Sequence, residues 1–159
     1  MMVRVGMADM NTCTSPDAIT TLGLGSCVGI VLYDPAKKIA GMVHVMLPDS
    51  MKIIHNENKA KFADTGITTL LDKMIQQGAV KSRIIAKIAG GAQMFGFQNV
   101  SDLLRVGEKN VEATKLQLQK LKIPILAEDT GANYGRTIEF YPETGELLVK
   151  SVGKEIKRI

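Results

Sequence analysis

Apolar residues follow two spacings along the chain, one near two and one near 3.6, and together these predict a mixed succession of strands and helices. Val3–Ala8 and Ala18–Leu22 read as strands, the second running into the small-residue stretch Gly23-Leu24-Gly25-Ser26. Cys27–Tyr33 is an apolar run bounded by a turn signal, the pattern of a buried strand. Asp34-Pro35-Ala36-Lys37 is turn chemistry, because proline presets φ and an aspartate side chain bonds to the backbone ahead of it. Ile39–Met46 is the return strand, and Pro48 stops it. Lys59–Gln77 predicts a helix: Ala63, Ile67, Leu70, Leu71 and Met74 recur at helical spacing, and Gly78 stands where a C-terminal cap belongs. Arg83–Ala89 reads as a strand ending at Gly90-Gly91. Gly107–Leu121 reads as a second helix with Val111, Thr114, Leu118 and Leu121 on one stripe. Pro124–Glu128 is a further strand, and Thr137–Tyr141 pairs with Glu146–Val152 in a hairpin across Pro142-Glu143-Thr144-Gly145.

Strands outnumber helices and the hairpins imply antiparallel pairing. The expected fold class is therefore α+β with mixed β-sheets, not a doubly wound parallel sheet. No linker-like stretch or repeat divides residues 1–159, so a single domain is expected. Composition narrows the class: 45% apolar residues are too many for a disordered chain. The net charge of +4 raises the question of a nucleic-acid partner. The basic residues are dispersed, the one dense run being Lys154, Lys157 and Arg158, and 4% aromatic residues without tryptophan leave few surfaces for base stacking. A mildly basic surface suits an acidic protein partner equally well. The first residues lack the apolar core of a signal peptide and no apolar run is long enough to span a bilayer, so a cytoplasmic protein with reduced thiols is expected.

The first hairpin carries the chemistry. With Asp34–Lys37 as its loop, Tyr33 pairs with Lys38 and Cys27 lies directly opposite His44, on the same face. An imidazole beside a thiol can take its proton to give the thiolate that attacks a carbonyl carbon, and can then protonate a leaving amine. The histidine also needs a group to hold its orientation, and Thr21 is placed to do so through its hydroxyl or its main-chain carbonyl. Gly23, Gly25 and Gly29 surround the cysteine and let backbone approach a substrate, with the N–H groups of Ser26 and Cys27 as donors to an oxyanion. A buried cysteine and a satisfied core histidine are the competing reading of Cys27 and His44. Cys13 reads as incidental in a polar loop, and His55 as a solvated loop histidine. Gly23-Leu24-Gly25-Ser26-Cys27-Val28 lacks the third glycine of a dinucleotide fingerprint. The spacings of Cys13, Cys27, His44 and His55 match no zinc pattern. Gly90-Gly91 reads as a tight turn or close packing.

Six segments together resemble the CheD family. They are Thr21–Val28, Ala40–Ser50, Lys61–Asp64, Ala86–Ala92, Gly107–Asn110, and Ala127–Gly131 running into Gly135-Arg136. The resemblance implies mixed β-sheets packed together and flanked by α-helices, similar to the catalytic domain of deamidating toxins such as cytotoxic necrotizing factors. It implies deamidation of glutamines to glutamates on methyl-accepting chemotaxis receptors, with hydrolysis of receptor glutamyl methyl esters in some members. It also implies Cys27 as nucleophile, His44 as base and Thr21 as third residue, no metal or organic cofactor, and the phosphatase CheC as partner. Receptor glutamines lie on long exposed helices, so an open groove is expected in place of a deep pocket. A non-catalytic regulator binding CheC or receptor helices, and a general cysteine amidase, are the alternatives.

Overall fold

Two five-stranded sheets stack face to face among the described residues, and two helices cover the outer face of one of them. The computed structural model describes residues 1–93 and 105–159. In chain order the strands are β1 (Met2–Val5), β2 (Met10–Thr14), β3 (Ala18–Leu24), β4 (Val28–Asp34), β5 (Ile39–Val45), β6 (Ile85–Gly90), β7 (Ile125–Thr130), β8 (Arg136–Tyr141), β9 (Glu146–Lys150) and β10 (Lys157–Arg158). The helices are α1 (Ala63–Gln76), between β5 and β6, and α2 (Val106–Lys120), before β7. One sheet has the order β1-β3-β8-β9-β10 and the other β2-β5-β4-β6-β7. Each is mixed, with β1 parallel to β3 and β6 parallel to β7, the other neighbours being antiparallel. The α+β class with mixed sheets and flanking helices is as expected.

Side-chain alternation sorts the core into two layers. Val28, Ile30 and Leu32 of β4 with Val43 and Val45 of β5 pack under Ile67, Leu70, Met74 and Leu118 of the helices. Val31 and Tyr33 of β4 with Ala40 and Met42 of β5 face the other sheet, against Ile19, Ile138, Phe140 and Leu147. Covered on both sides, β4 and β5 are buried along their whole length, which is why they read as apolar runs.

Several boundaries differ from the sequence expectation. The stretch Val3–Ala8 is not one strand, because the chain leaves β1 at Val5 and turns through Ala8, at φ 54°, before β2 starts at Met10. Cys13 therefore lies in a strand, buried against the sheet interface, and not in a loop. β2 is one edge of its sheet and β10 one edge of the other. Edge strands bury little, so neither shows an apolar pattern. Lys59–Lys61 forms a separate 3-10 turn and α1 begins only at Ala63. Asn58 caps that turn by accepting from the Ala60 N–H at 3.1 Å.

The hairpin register is also corrected. Asp34 pairs with Ile39, so the loop is Pro35–Lys38, and His44 stands opposite Gly29, not Cys27. The Asp34 carboxylate explains the shift. Fully buried, it accepts from the N–H groups of Ala36 (3.0 Å), Lys37 (3.2 Å) and Val80 (2.9 Å), and from Arg83 Nε and Nη2 at 3.1 Å each. A residue assigned to the turn is thereby held in the strand. Moving a four-residue loop by one position displaces every cross-strand partner by two residues, which preserves the face.

Candidate active site

Cys27 stands just before β4, where the ladder with β6 reaches one hydrogen bond further, from the Gly91 N–H to the Cys27 carbonyl at 2.8 Å. Its side chain joins the layer between the sheets, on the face shared by Gly29 and Val31. His44 lies on that same face, diagonal to Cys27 across the hairpin. Positions related in this way are about 7–8 Å apart, within reach of a ring side chain. The His44 main chain is pinned on its other edge, its N–H donating to Asp9 and its carbonyl accepting from Ala8, each at 3.0 Å.

Thr21 reaches the histidine from the opposite sheet. Its Oγ1 is 2.8 Å from His44 Nδ1 and 2.8 Å from the Val5 carbonyl. A hydroxyl has one hydrogen and a carbonyl can only accept, so that hydrogen goes to Val5. Thr21 then accepts from Nδ1–H, which leaves the lone pair on Nε2. Among the described residues Nε2 has no hydrogen-bond partner, although it is buried. Of the two routes open to Thr21 in the sequence, the hydroxyl makes the contact.

Gly29 makes this approach possible. A Cβ there would stand 2.7 Å from Ile138 Cδ1, 3.1 Å from Leu24 Cδ1 and 3.5 Å from Thr21 Cγ2. Its role is to let the sheets close, where the sequence suggested backbone access for substrate. Gly23, at φ 70°, sits in the irregular stretch of β3 between Thr21 and Leu24 and occupies a conformation that favours glycine. Gly90 and Gly91 have φ of 111° and 68°, and a Cβ on Gly90 would lie 2.3 Å from the Cys27 carbonyl oxygen. They serve close packing, as expected.

Burial dominates the electrostatics. It pushes the Cys27 thiol above its ordinary value, opposed by the residue's own N–H, and it lowers the His44 imidazole. At rest the pair is thus a neutral thiol and a neutral imidazole whose free nitrogen is a base. Cys13 is as buried as Cys27, at 7% against 8% exposure, but its thiol is pushed up to about 11 by burial and by Asp17. His55 stands in an exposed loop. Among the described residues no cluster of histidine, cysteine and carboxylate side chains could hold a metal ion, and no helix is long and apolar enough to cross a membrane.

Thr20 and Leu22, on either side of Thr21, reach a surface depression that Cys27, His44 and Thr21 themselves do not line. This depression, of about 280 Å³, lies between β1 and β3, lined by residues including Arg4, Met7 and Leu22. Another of about 290 Å³ lies beyond Gly23, beside Tyr134 and Lys150. Met7 and Leu22 leave apolar side chains exposed at the first of these. A larger cavity of about 440 Å³ between α2 and β7 does not include Cys27, His44 or Thr21.

One residue that the sequence reading left without a role touches this site. Asn110 of α2 is fully buried, and its Nδ2 donates to the carbonyls of Ser26 and Met46, each at 2.9 Å. The signal was available: Asn110 precedes Thr114 and Leu118 by four and eight residues, a polar side chain on a buried helical stripe.

A family model described as CheD chemotactic sensory transduction matches residues 46–151. A protein of Lachnoclostridium phytofermentans named probable chemoreceptor glutamine deamidase CheD is 70% identical, over 99% of this chain and 98% of its own length. Proteins named chemoreceptor glutamine deamidase CheD from Halalkalibacterium halodurans and Bacillus subtilis are 54% and 48% identical, over 99% and 100% of this chain and 98% and 96% of theirs. Among solved structures, the Bacillus licheniformis hypothetical protein YfiH aligns with a TM-score of 0.45 at 16% identity, over 73% of this chain and 47% of that one. With relatives matching it nearly end to end and a family model running from the end of β5 past β9, the chain belongs to the CheD family.

Proposed function

We propose that this protein deamidates glutamine side chains of chemoreceptors, with Cys27 as nucleophile, His44 as general base and acid, and Thr21 as the residue that orients the imidazole. The observation that carries the reading is the Thr21–His44 hydrogen bond, which leaves an unpartnered, basic Nε2 on the face that holds the Cys27 thiol. The names of the relatives supply the substrate class.

The reaction balances as a double displacement. His44 Nε2 takes the Cys27 proton as the sulfur adds to the carboxamide carbon. The N–H groups of Ser26 and Cys27, which donate to no main-chain carbonyl among the described residues, are the candidate donors to the resulting oxyanion. Collapse expels ammonia with the proton carried by His44 and leaves a thioester. Water then gives a proton to His44 and adds to the thioester carbon, and the thiolate leaves and regains that proton as glutamate is released. The same steps hydrolyse a glutamyl methyl ester, with methanol in place of ammonia, so receptor methylesterase activity is part of the proposal. A receptor helix suits the shallow surface beside Met7 and Leu22 better than a free amino acid does. CheC is the partner we propose for the same surface.

The test is ammonia release, and the accompanying mass increment, from a chemoreceptor cytoplasmic fragment. Cys27→Ala is expected to abolish both while thermal unfolding stays close to the parent. Undiminished deamidation by that variant would remove the nucleophile assignment. A parent protein that binds the fragment without turnover would make the chain a non-catalytic regulator.

A further inference from the structure

We propose that Asn110 is a positioning residue for the nucleophile: its side-chain amide turns the Ser26–Cys27 peptide so that the Cys27 N–H faces the thiol and the incoming carboxamide. The inference depends on the deamidase reading above and adds to it a residue on a helix that contributes none of the reacting groups.

The two carbonyls held by Asn110 belong to strands that are parting. The β4–β5 ladder ends at the pair Val28 and Val45. Beyond it, the Met46 N–H turns away to Lys61 at 2.8 Å, while Cys27 stays with Gly91 on the β6 side. Ser26 and Met46 are left with carbonyls that no ladder satisfies. A buried carbonyl left unpaired is unfavourable, because it has given up its water without gaining a donor. One carboxamide, inserted at the fork with both Nδ2 hydrogens engaged, answers both.

Peptide planarity carries the effect to the nucleophile. In a trans peptide the C=O and the following N–H point in opposite directions. The Gly25 carbonyl accepts from Ala92 at 2.9 Å, the Ser26 carbonyl from Asn110 at 2.9 Å, and the Cys27 carbonyl from Gly91 at 2.8 Å. Three successive carbonyls are drawn toward the β6 and α2 side, so the N–H groups of Ser26 and Cys27 point away from it. Two of these anchors are main-chain groups that any residue would supply. Asn110 is the side chain among them, and it anchors the peptide that carries the Cys27 N–H, the group that opposes the effect of burial on the thiol. The Asn110 Oδ1 is buried and finds no partner among the described residues. Packing alone does not account for an amide with an orphaned oxygen; its two donors do.

The experiment compares the parent with Asn110→Leu, which is similar in volume and removes both donors together with the orphaned oxygen, and with Asn110→Ala. Folding is checked by circular dichroism and thermal unfolding. Iodoacetamide modification of Cys27 is followed against pH by peptide mass, with Cys13 as internal reference, and ammonia release is measured on a chemoreceptor cytoplasmic fragment. The expected result is an upward shift of the Cys27 alkylation midpoint with Cys13 unmoved, and a fall in kcat of about 10²–10³-fold, the scale of one lost oxyanion donor, with KM little changed. A folded variant that matches the parent in alkylation midpoint and kcat overturns the proposal. So does a variant whose only defect is a lower melting temperature, because that is a packing role. Should neither variant fold, the unsubstituted protein still decides: the Cys27 amide proton resonance must move as the thiol ionises, and an amide indifferent to the thiol overturns the proposal. The two readings fail separately, since full activity in Cys27→Ala sinks the deamidase mechanism, whereas an inactive Cys27→Ala beside a fully active Asn110→Leu sinks only the role of Asn110.

Discussion

Thr21 has one hydroxyl hydrogen, and Val5 takes it. That small asymmetry sets the histidine tautomer, because Thr21 can then only accept from Nδ1–H and Nε2 carries the lone pair. Thr21→Val keeps the volume and deletes the acceptor, so the tautomer is no longer held; kcat is expected to fall about 10²-fold or more, with Thr21→Ser recovering most of it. A steady-state comparison of the three proteins on a receptor fragment checks this. The pH dependence follows from the lowered imidazole of His44. A depressed value keeps the base neutral at pH 7, so kcat/KM is expected to be flat near neutrality and to drop only as pH falls below the ordinary histidine value of about 6.5. An acid limb with its midpoint above that value would contradict the assignment of His44 as base.

At the scale of the element, the β4–β5 hairpin places His44, the proposed base, and the β4–β6 edge places Cys27, the proposed nucleophile. The turn chemistry of Asp34–Lys37 sets the loop one residue earlier than the structure does, and the face of every side chain is kept because partners move in steps of two. That chemistry does not show that a carboxylate buried against Arg83 could cap the turn from inside the strand. Gly90 is the stricter constraint. Its positive φ and the closeness of the Cys27 carbonyl both exclude a side chain. Gly90→Ala is expected to cost about 2–4 kcal/mol, from left-handed strain and from a contact with main chain that cannot swing aside. Denaturant unfolding measures the loss, and Cys27, whose carbonyl must move, is expected to lose its reactivity with it.

The whole molecule joins the site, since Thr21 belongs to one sheet and His44 to the other. The Thr21–His44 contact exists only while the sheets are docked, so on the proposed mechanism deamidation should disappear with global unfolding and not before it. One ion pair, between the buried Asp34 carboxylate and the exposed Arg83, makes that stability depend on acid. Burial would push the Asp34 carboxyl up, but Arg83 and the N–H groups of Val80, Lys37 and Ala36 outweigh it and hold the carboxyl at about 2. A depressed carboxylate contributes stability that is complete above its unfolded value near 4 and is lost as pH falls toward 2. The contribution is about 2 kcal/mol. Asp34→Asn is expected to flatten the acid limb of the stability–pH curve between about pH 4 and 2. An unchanged slope would remove Asp34 from that role.

Local patterning was enough to determine the two buried central strands, the helix faces, the closing hairpin and the presence of Cys27, His44 and Thr21 near one another in the chain's first third. These follow from the period of side-chain burial and the conformational limits of glycine and proline, both properties of short segments. Tertiary structure alone decided the stacking of the sheets over Gly29, the edge strands β2 and β10, the burial of Cys13 and the reach of Asn110 to Ser26 and Met46. The reason is physical: an edge strand shows little apolar pattern, and a hydrogen bond between residues 84 positions apart leaves no periodic trace along the chain.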